Sequence, residues 1–128
     1  MKNIRQLSLL FLLLALVLML GGCMSSYTFE TIKASDLQHM LNSSEKFTLV
    51  DIREADTYQR GHIAGAVNLP FSSFEVKYQQ LKPDDKIVLV CYSGSTSQQA
   101  AQFLLEKGYK KVSSVAGGME AWQGPVTK

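Results

Sequence analysis

The chain has 128 residues, 46% of them hydrophobic, and a formal net charge of +2 from 13 basic and 11 acidic side chains. That is one domain's worth of chain. The near balance of charge excludes the strongly basic surface that nucleic-acid binding needs, and two cysteines are too few for a disulfide framework.

The first 22 residues read as a targeting segment rather than as fold. Lys2 and Arg5 make a basic start, and Leu7 to Leu20 is apolar except for Ser8. That run is short of the ~20 residues of a spanning helix but right for the core of a secretory signal. An uncleaved anchor, the alternative, would need a longer run. At its end, Leu20-Gly21-Gly22-Cys23 resembles the lipobox of bacterial lipoproteins. The resemblance implies a diacylglyceryl group on the Cys23 thiol, cleavage before it, and acylation of the new amine. At ~0.8 kcal/mol per buried methylene, two or three acyl chains hold a protein at a membrane where one does not. The expected organisation is a cleaved signal at 1–22, a lipidated tether at 23–28 and a folded domain at 29–128. The domain is expected on the extracytoplasmic side of a bacterial membrane. Met24 stands where aspartate commonly signals inner-membrane retention. It points to the periplasmic face of an outer membrane if there are two membranes, and otherwise to the outer face of the cell membrane. Lys2 and Arg5 are the only charges before residue 23, so the domain itself is formally neutral. It is expected to be a monomer.

Strands and helices alternate along the rest of the chain. A short strand is expected near Phe29 to Lys33. Ser35 and Gln38 fit a capping box ahead of a helix with Leu37, Met40 and Leu41 on one face. Phe47 to Asp51 reads as a strand, and Glu54 to Gln59 as a short helix stopped by Gly61. A strand lies between Gly65 and Pro70. Ser72 or Ser73 caps a helix running to Leu81, and Pro83-Asp84-Asp85 turns the chain. Ile87 to Val90 is a buried strand. From Gln98 onward, Ala101, Leu104 and Leu105 mark a helix closing at Gly108. Lys111 to Val115 is a strand, Gly117-Gly118 a turn, and Met119 to Trp122 a last short helix. This order predicts an α/β fold, a mainly parallel central sheet with helices on both faces, and a site at the carboxyl ends of the strands.

Cys91 ends the Ile87 to Val90 strand, before a loop of small polar residues centred on Gly94. In that place a sulfur meets converging N–H groups and a helix N-terminus, which favour a thiolate and bound anions. A small apolar cysteine finishing a core strand is the other reading. The predicted topology supports a functional role, since it puts Cys91 and Asp51 where α/β folds bind ligands. With lipid on Cys23, Cys91 is the only free thiol, and no second cysteine is there to resolve it.

Four segments, taken together and in order, resemble the rhodanese-like sulfurtransferase family, especially its small exported single-domain members. Leu49-Val50-Asp51-Ile52-Arg53 matches an Asp-x-Arg signature, and Gly61-His62-Ile63 to Pro70 a Gly-His-Ile-x-Gly-Ala-x-Asn-x-Pro signature. Val90 to Gly94 matches the strand and active-site loop, and Gly117-Gly118 to Trp122 a Gly-Gly-x-x-x-Trp signature. The likeness spans about residues 29–124. It implies that Cys91 is catalytic, taking the outer sulfur of thiosulfate or a persulfide and passing it from a cysteine persulfide to a thiol or cyanide. The loop Tyr92, Ser93, Gly94, Ser95, Thr96 and Ser97 would bind the substrate, with Asp51, Arg53 and His62 in support. No cofactor is implied. No metal is expected either, because His62 has only His39, on a separate helix, as a histidine partner.

One departure bears on activity. Many family members carry Cys-x-x-Gly-x-Arg-Ser, and here the arginine position is Thr96. Weak thiosulfate activity, or a preference for a less charged donor, is the expectation. A non-catalytic binding or sulfur-carrier module at the membrane surface is the alternative. A phosphatase or arsenate reductase on the related fold would need Cys-x5-Arg, and position 97 is serine.

Overall fold

The computed structural model describes residues 2–19 and 28–128, so Cys23 and its expected lipid lie outside the described residues. Helix α1 (Lys2–Met19) takes in most of the apolar run expected to be a signal. Its apolar part, from Leu7, is about 20 Å long at 1.5 Å per residue. No helix among the described residues is long and apolar enough to cross a membrane.

The domain runs β1 (Glu30–Ile32), α2 (Ala34–Leu41), β2 (Thr48–Asp51), α3 (Ala55–Arg60), β3 (Val67–Asn68), α4 (Phe74–Lys77), β4 (Ile87–Val90), α5 (Ser95–Glu106), β5 (Val112–Val115) and α6 (Gly118–Ala121). The strands form one sheet in the order β1-β5-β4-β2-β3, parallel at every pairing. This is the α/β class that the alternation of strands and helices predicts. From β2 the chain steps outward to β3, and from β4 it steps the other way to β5. The direction of winding therefore reverses between β2 and β4, where open parallel sheets leave a crevice at their carboxyl ends.

Each face of the sheet carries its own core, and the strand period of two sorts the residues between them. Ile87, Leu89 and Cys91 share one face with Phe74 of α4 and Ala100, Ala101, Leu104 and Leu105 of α5. Val88 and Val90 share the other with Leu37 of α2, beside Tyr58, Met119 and Trp122. Ile87 to Val90 are all fully buried, which is why they read as an unbroken apolar run.

Three helices differ from the sequence expectation. Helix α2 begins at Ala34, with Lys33 extended before it, so Ser35 is already inside the helix. Asp36, not Gln38, takes the Lys33 N–H, at 3.1 Å. The segment expected as one helix from Ser72 or Ser73 to Leu81 is broken, with 3-10 turns at Phe71–Ser73 and Tyr78–Gln80 flanking α4. Tyr109 explains the second break: its phenol donates to the Leu81 carbonyl at 2.7 Å and lies 3.1 Å from that of Tyr78. Helix α5 starts at Ser95 rather than near Gln98, because its first turn is hydroxyl-bearing and shows no apolar period.

Burial, with Tyr78 alongside, pushes the Tyr109 phenol above its ordinary value of 10.0. The unfolded chain therefore loses this proton first as pH rises. The contribution is whole below about pH 10 and falls away above it. Tyr109→Phe should lower stability at pH 7 by about 1 kcal/mol in a denaturant titration. The variant should also lose less stability than the wild type between pH 9 and 11.

Candidate active site

Cys91 continues the alternation of Ile87 and Leu89, so its side chain faces α5 rather than the opposite core. The chain must then turn at once to start that helix. Gly94 makes this turn with φ +99°. A Cβ there would lie 3.0 Å from the Gly117 nitrogen and 3.3 Å from the Val115 oxygen, so both conformation and space select glycine.

The turn folds the loop over the sulfur. Gly94 N–H points at Cys91 Sγ from 3.0 Å, and Ser97 N–H from 3.4 Å. Ser97 Oγ is also 3.4 Å from the sulfur. Gly94 precedes and Ser97 lies in the first turn of a twelve-residue helix, whose dipole adds positive potential there. Cys91 is only 3% exposed, yet it reaches solvent through a cleft.

A second set of backbone bonds fixes the loop from behind. Met119 N–H donates to the Cys91 carbonyl at 2.8 Å and Glu120 N–H to that of Tyr92 at 3.0 Å. Such close approach needs Gly118, at φ +52°, where a Cβ would overlap the Cys91 oxygen and come within 2.7 Å of the Tyr92 oxygen. The sequence marked the glycine pair as a turn, but its spatial task of seating the cysteine loop was not readable from the turn alone.

The cleft is an open depression of about 450 Å³ at the reversal point of the sheet. The loop after β2 contributes Ile52, Arg53 and Glu54, with Thr57 from α3, and the loop after β4 contributes Cys91 and Tyr92, with Thr96 from α5. Phe71 closes one side. Asp51 is fully buried, and its carboxylate takes Arg53 Nε at 3.0 Å and Nη2 at 2.6 Å. The same Nη2 reaches the Gly61 carbonyl at 2.8 Å. Glu54 turns to Ser72, accepting its Oγ–H at 2.9 Å.

The residues singled out from the sequence thus separate into groups. Tyr92 and Thr96 line the cleft beside Cys91. Gly94 and Ser97 are buried against the sulfur, whereas Ser93 and Ser95 point to solvent. Asp51 holds Arg53 at the cleft wall. His62 lies away from the lining, with Nδ1 3.0 Å from the Tyr58 carbonyl and its ring stacked on Tyr58 at 3.7 Å. Among the described residues no cluster of His, Cys, Asp and Glu could hold a metal ion. Glu54, Phe71 and Ser114 escaped the sequence reading. Ser114, fully buried in β5 among valines, offered a signal: a polar side chain at an inward strand position needs a partner.

A rhodanese-like domain model matches residues 33–125. The candidate sulfur carrier protein YrkF of Bacillus subtilis (strain 168) is 34% identical over 107 residues, which cover 81% of this chain and 58% of that protein. The chain therefore spans little more than half the length of this curated relative. A rhodanese-related protein from Thermoplasma volcanium has a similar structure, with a TM-score of 0.69 at 31% identity, over 77% of this chain and 98% of that one. A rhodanese-like domain protein from Staphylococcus aureus, at 24% identity, shares the fold, with a TM-score of 0.72 over 78% of this chain and 99% of that one.

Gly118→Ala should push the loop off its two N–H donors. The expected outcome is a loss of about 2 kcal/mol or more in thermal or denaturant unfolding. In the fraction still folded, Cys91 should be alkylated at a changed rate.

Proposed function

The chain belongs to the rhodanese-like domain family, and we propose that Cys91 carries a sulfane sulfur from a weakly charged donor to a thiol or cyanide acceptor. The observation that carries this reading is the sulfur of Cys91 under the Gly94 and Ser97 N–H groups, at the floor of an open cleft. In the first half-reaction the Cys91 thiolate attacks the outer sulfur of the donor. A new S–S bond forms, and the donor's own bond to that sulfur breaks with its electron pair. Thiosulfate leaves as sulfite, and a persulfide donor leaves as its thiolate. In the second half-reaction a thiolate or cyanide attacks the outer sulfur, and the electron pair returns to Cys91. No net oxidation occurs and no cofactor is needed. Helix geometry leaves the first-turn N–H groups of Ser95 and Thr96 without intrahelical acceptors, which makes them donors for the outer sulfur.

The charge around the cleft supports a donor other than thiosulfate. Among the described residues that line it, the one cation, Arg53, is already paired with Asp51, and the remaining charge is the Glu54 carboxylate. Thr96 stands where an arginine would offer bidentate bonds to a dianion. A hydrogen bond to a charged group contributes ~1.5–3 kcal/mol, or roughly ten- to a hundred-fold in affinity. A second reading, favoured by the name of the Bacillus subtilis relative, is a carrier that hands its sulfur to a protein partner instead of turning over small molecules.

Steady-state kinetics with cyanide as acceptor test the proposal. Cysteamine persulfide, whose ammonium offsets its persulfide anion, should be used with a higher kcat/KM than thiosulfate, in a ping-pong pattern that Cys91→Ala abolishes. Thr96→Arg should raise kcat/KM for thiosulfate by roughly ten-fold or more, and change it little for cysteamine persulfide. Equal thiosulfate turnover in wild type and Thr96→Arg would remove the charge argument. Turnover surviving in Cys91→Ala would remove the mechanism.

A further inference from the structure

Ser114 lies one strand away from Cys91, fully buried, and does not line the cleft. Strand alternation puts it on the face of Val112, toward α5. There its Oγ is 2.8 Å from Ser97 Oγ. Ser97 Oγ is in turn 3.4 Å from Cys91 Sγ and 3.0 Å from the Gly94 carbonyl oxygen. Ser97 thus has one hydroxyl proton and three neighbours that can take it.

The proton count decides which way the chain of hydroxyls points. Among the described residues, Ser97 is the hydrogen-bond partner of the Ser114 side chain. If Ser114 accepted the Ser97 proton, its own proton would be left without an acceptor in a dry core, which costs about 1–3 kcal/mol. Ser114 therefore donates to Ser97. The Ser97 proton is left for either the Gly94 carbonyl or the sulfur. The Gly94 carbonyl also accepts Gln98 N–H at 3.2 Å, so it keeps a partner when Ser97 turns away. While Cys91 is a thiol, its S–H donates to Ser97 Oγ and Ser97 donates to Gly94. Once the sulfur has lost its proton, the Ser97 hydroxyl rotates to it as a third donor beside the Gly94 and Ser97 N–H groups.

We propose that Ser114 is a positioning residue for Cys91: by donating to Ser97 it frees the Ser97 hydroxyl to follow the protonation state of the sulfur. The inference rests on Cys91 being the reacting atom of the proposed function, but its test needs no sulfur donor and is decided separately.

The test is the pH profile of Cys91 alkylation by iodoacetamide in the full chain, with Cys23→Ser throughout so that one thiol remains. Ser97→Ala should move the midpoint up by about one pH unit, as loss of a hydrogen bond to a charged atom requires. Ser114→Ala should move it up by roughly half as much, since it acts only through the polarised neighbour. Ser114→Thr, which keeps the hydroxyl, should retain the wild-type midpoint. The double variant Ser97→Ala, Ser114→Ala should match Ser97→Ala alone. If Ser114→Ala does not fold, the equal-volume pair Ser114→Thr and Ser114→Val makes the same comparison, and only the valine should shift the profile. An unshifted midpoint in Ser114→Ala would overturn the proposal. So would a double variant whose shift is the sum of the two single ones, since Ser114 would then act independently of Ser97.

Discussion

The Cys91 sulfur lies under main-chain N–H groups, and most of the site exists to keep it there. Two donors, Gly94 and Ser97, reach the sulfur. They can do so only if the chain reverses within four residues of the end of β4, which a left-handed Gly94 allows. The reversal holds its shape because Met119 and Glu120 take the carbonyls of Cys91 and Tyr92 from the other side. Both halves of this clamp are backbone. It is therefore insensitive to most side-chain changes and intolerant of a Cβ at Gly94 or Gly118.

The sheet supplies the location and the charge. Winding in opposite directions from β2 and β4 leaves their carboxyl ends side by side, so the loop after Asp51 and the loop after Val90 face one another. The Asp51–Arg53 pair is nearly buried and bidentate, and Asn68 ties down the same turn through the carbonyls of Asp51 and Arg53. Breaking one partner of such a pair leaves a buried charge alone, which is far costlier than the pair's own net contribution. Arg53 is thus occupied as a strut of the cleft wall. The cleft that results is polar, and the described residues that line it offer no free guanidinium to an anion.

Much of this was legible in the sequence. The Ile87 to Val90 run, the helical spacing of Ala101, Leu104 and Leu105 and the regular return of strands are consequences of burial on a two-sided parallel sheet, and they fix the fold class. Cys91 and Asp51 could be put at strand ends for the same reason. What could not be read was anything decided by contact across the sheet. Ser97 looks like one more loop hydroxyl in a polar run, and only the structure shows that it is buried against Ser114. Glu54 looks like a helix start, yet it lines the cleft and its carboxylate accepts the Ser72 hydroxyl. The start of α5 was misplaced because hydroxyl residues carry no periodicity, and the capping role of Ser35 was lost when α2 began one residue before it.

These parts serve a single chemical expectation, that the sulfur of Cys91 accepts one further sulfur. The most direct measurement is the intact mass of the full chain after incubation with a low-molecular-weight persulfide. The account predicts a gain of one sulfur, about 32 Da, that is absent from Cys91→Ala and removed by cyanide. An unchanged mass, with Cys91 still open to alkylation, would contradict it.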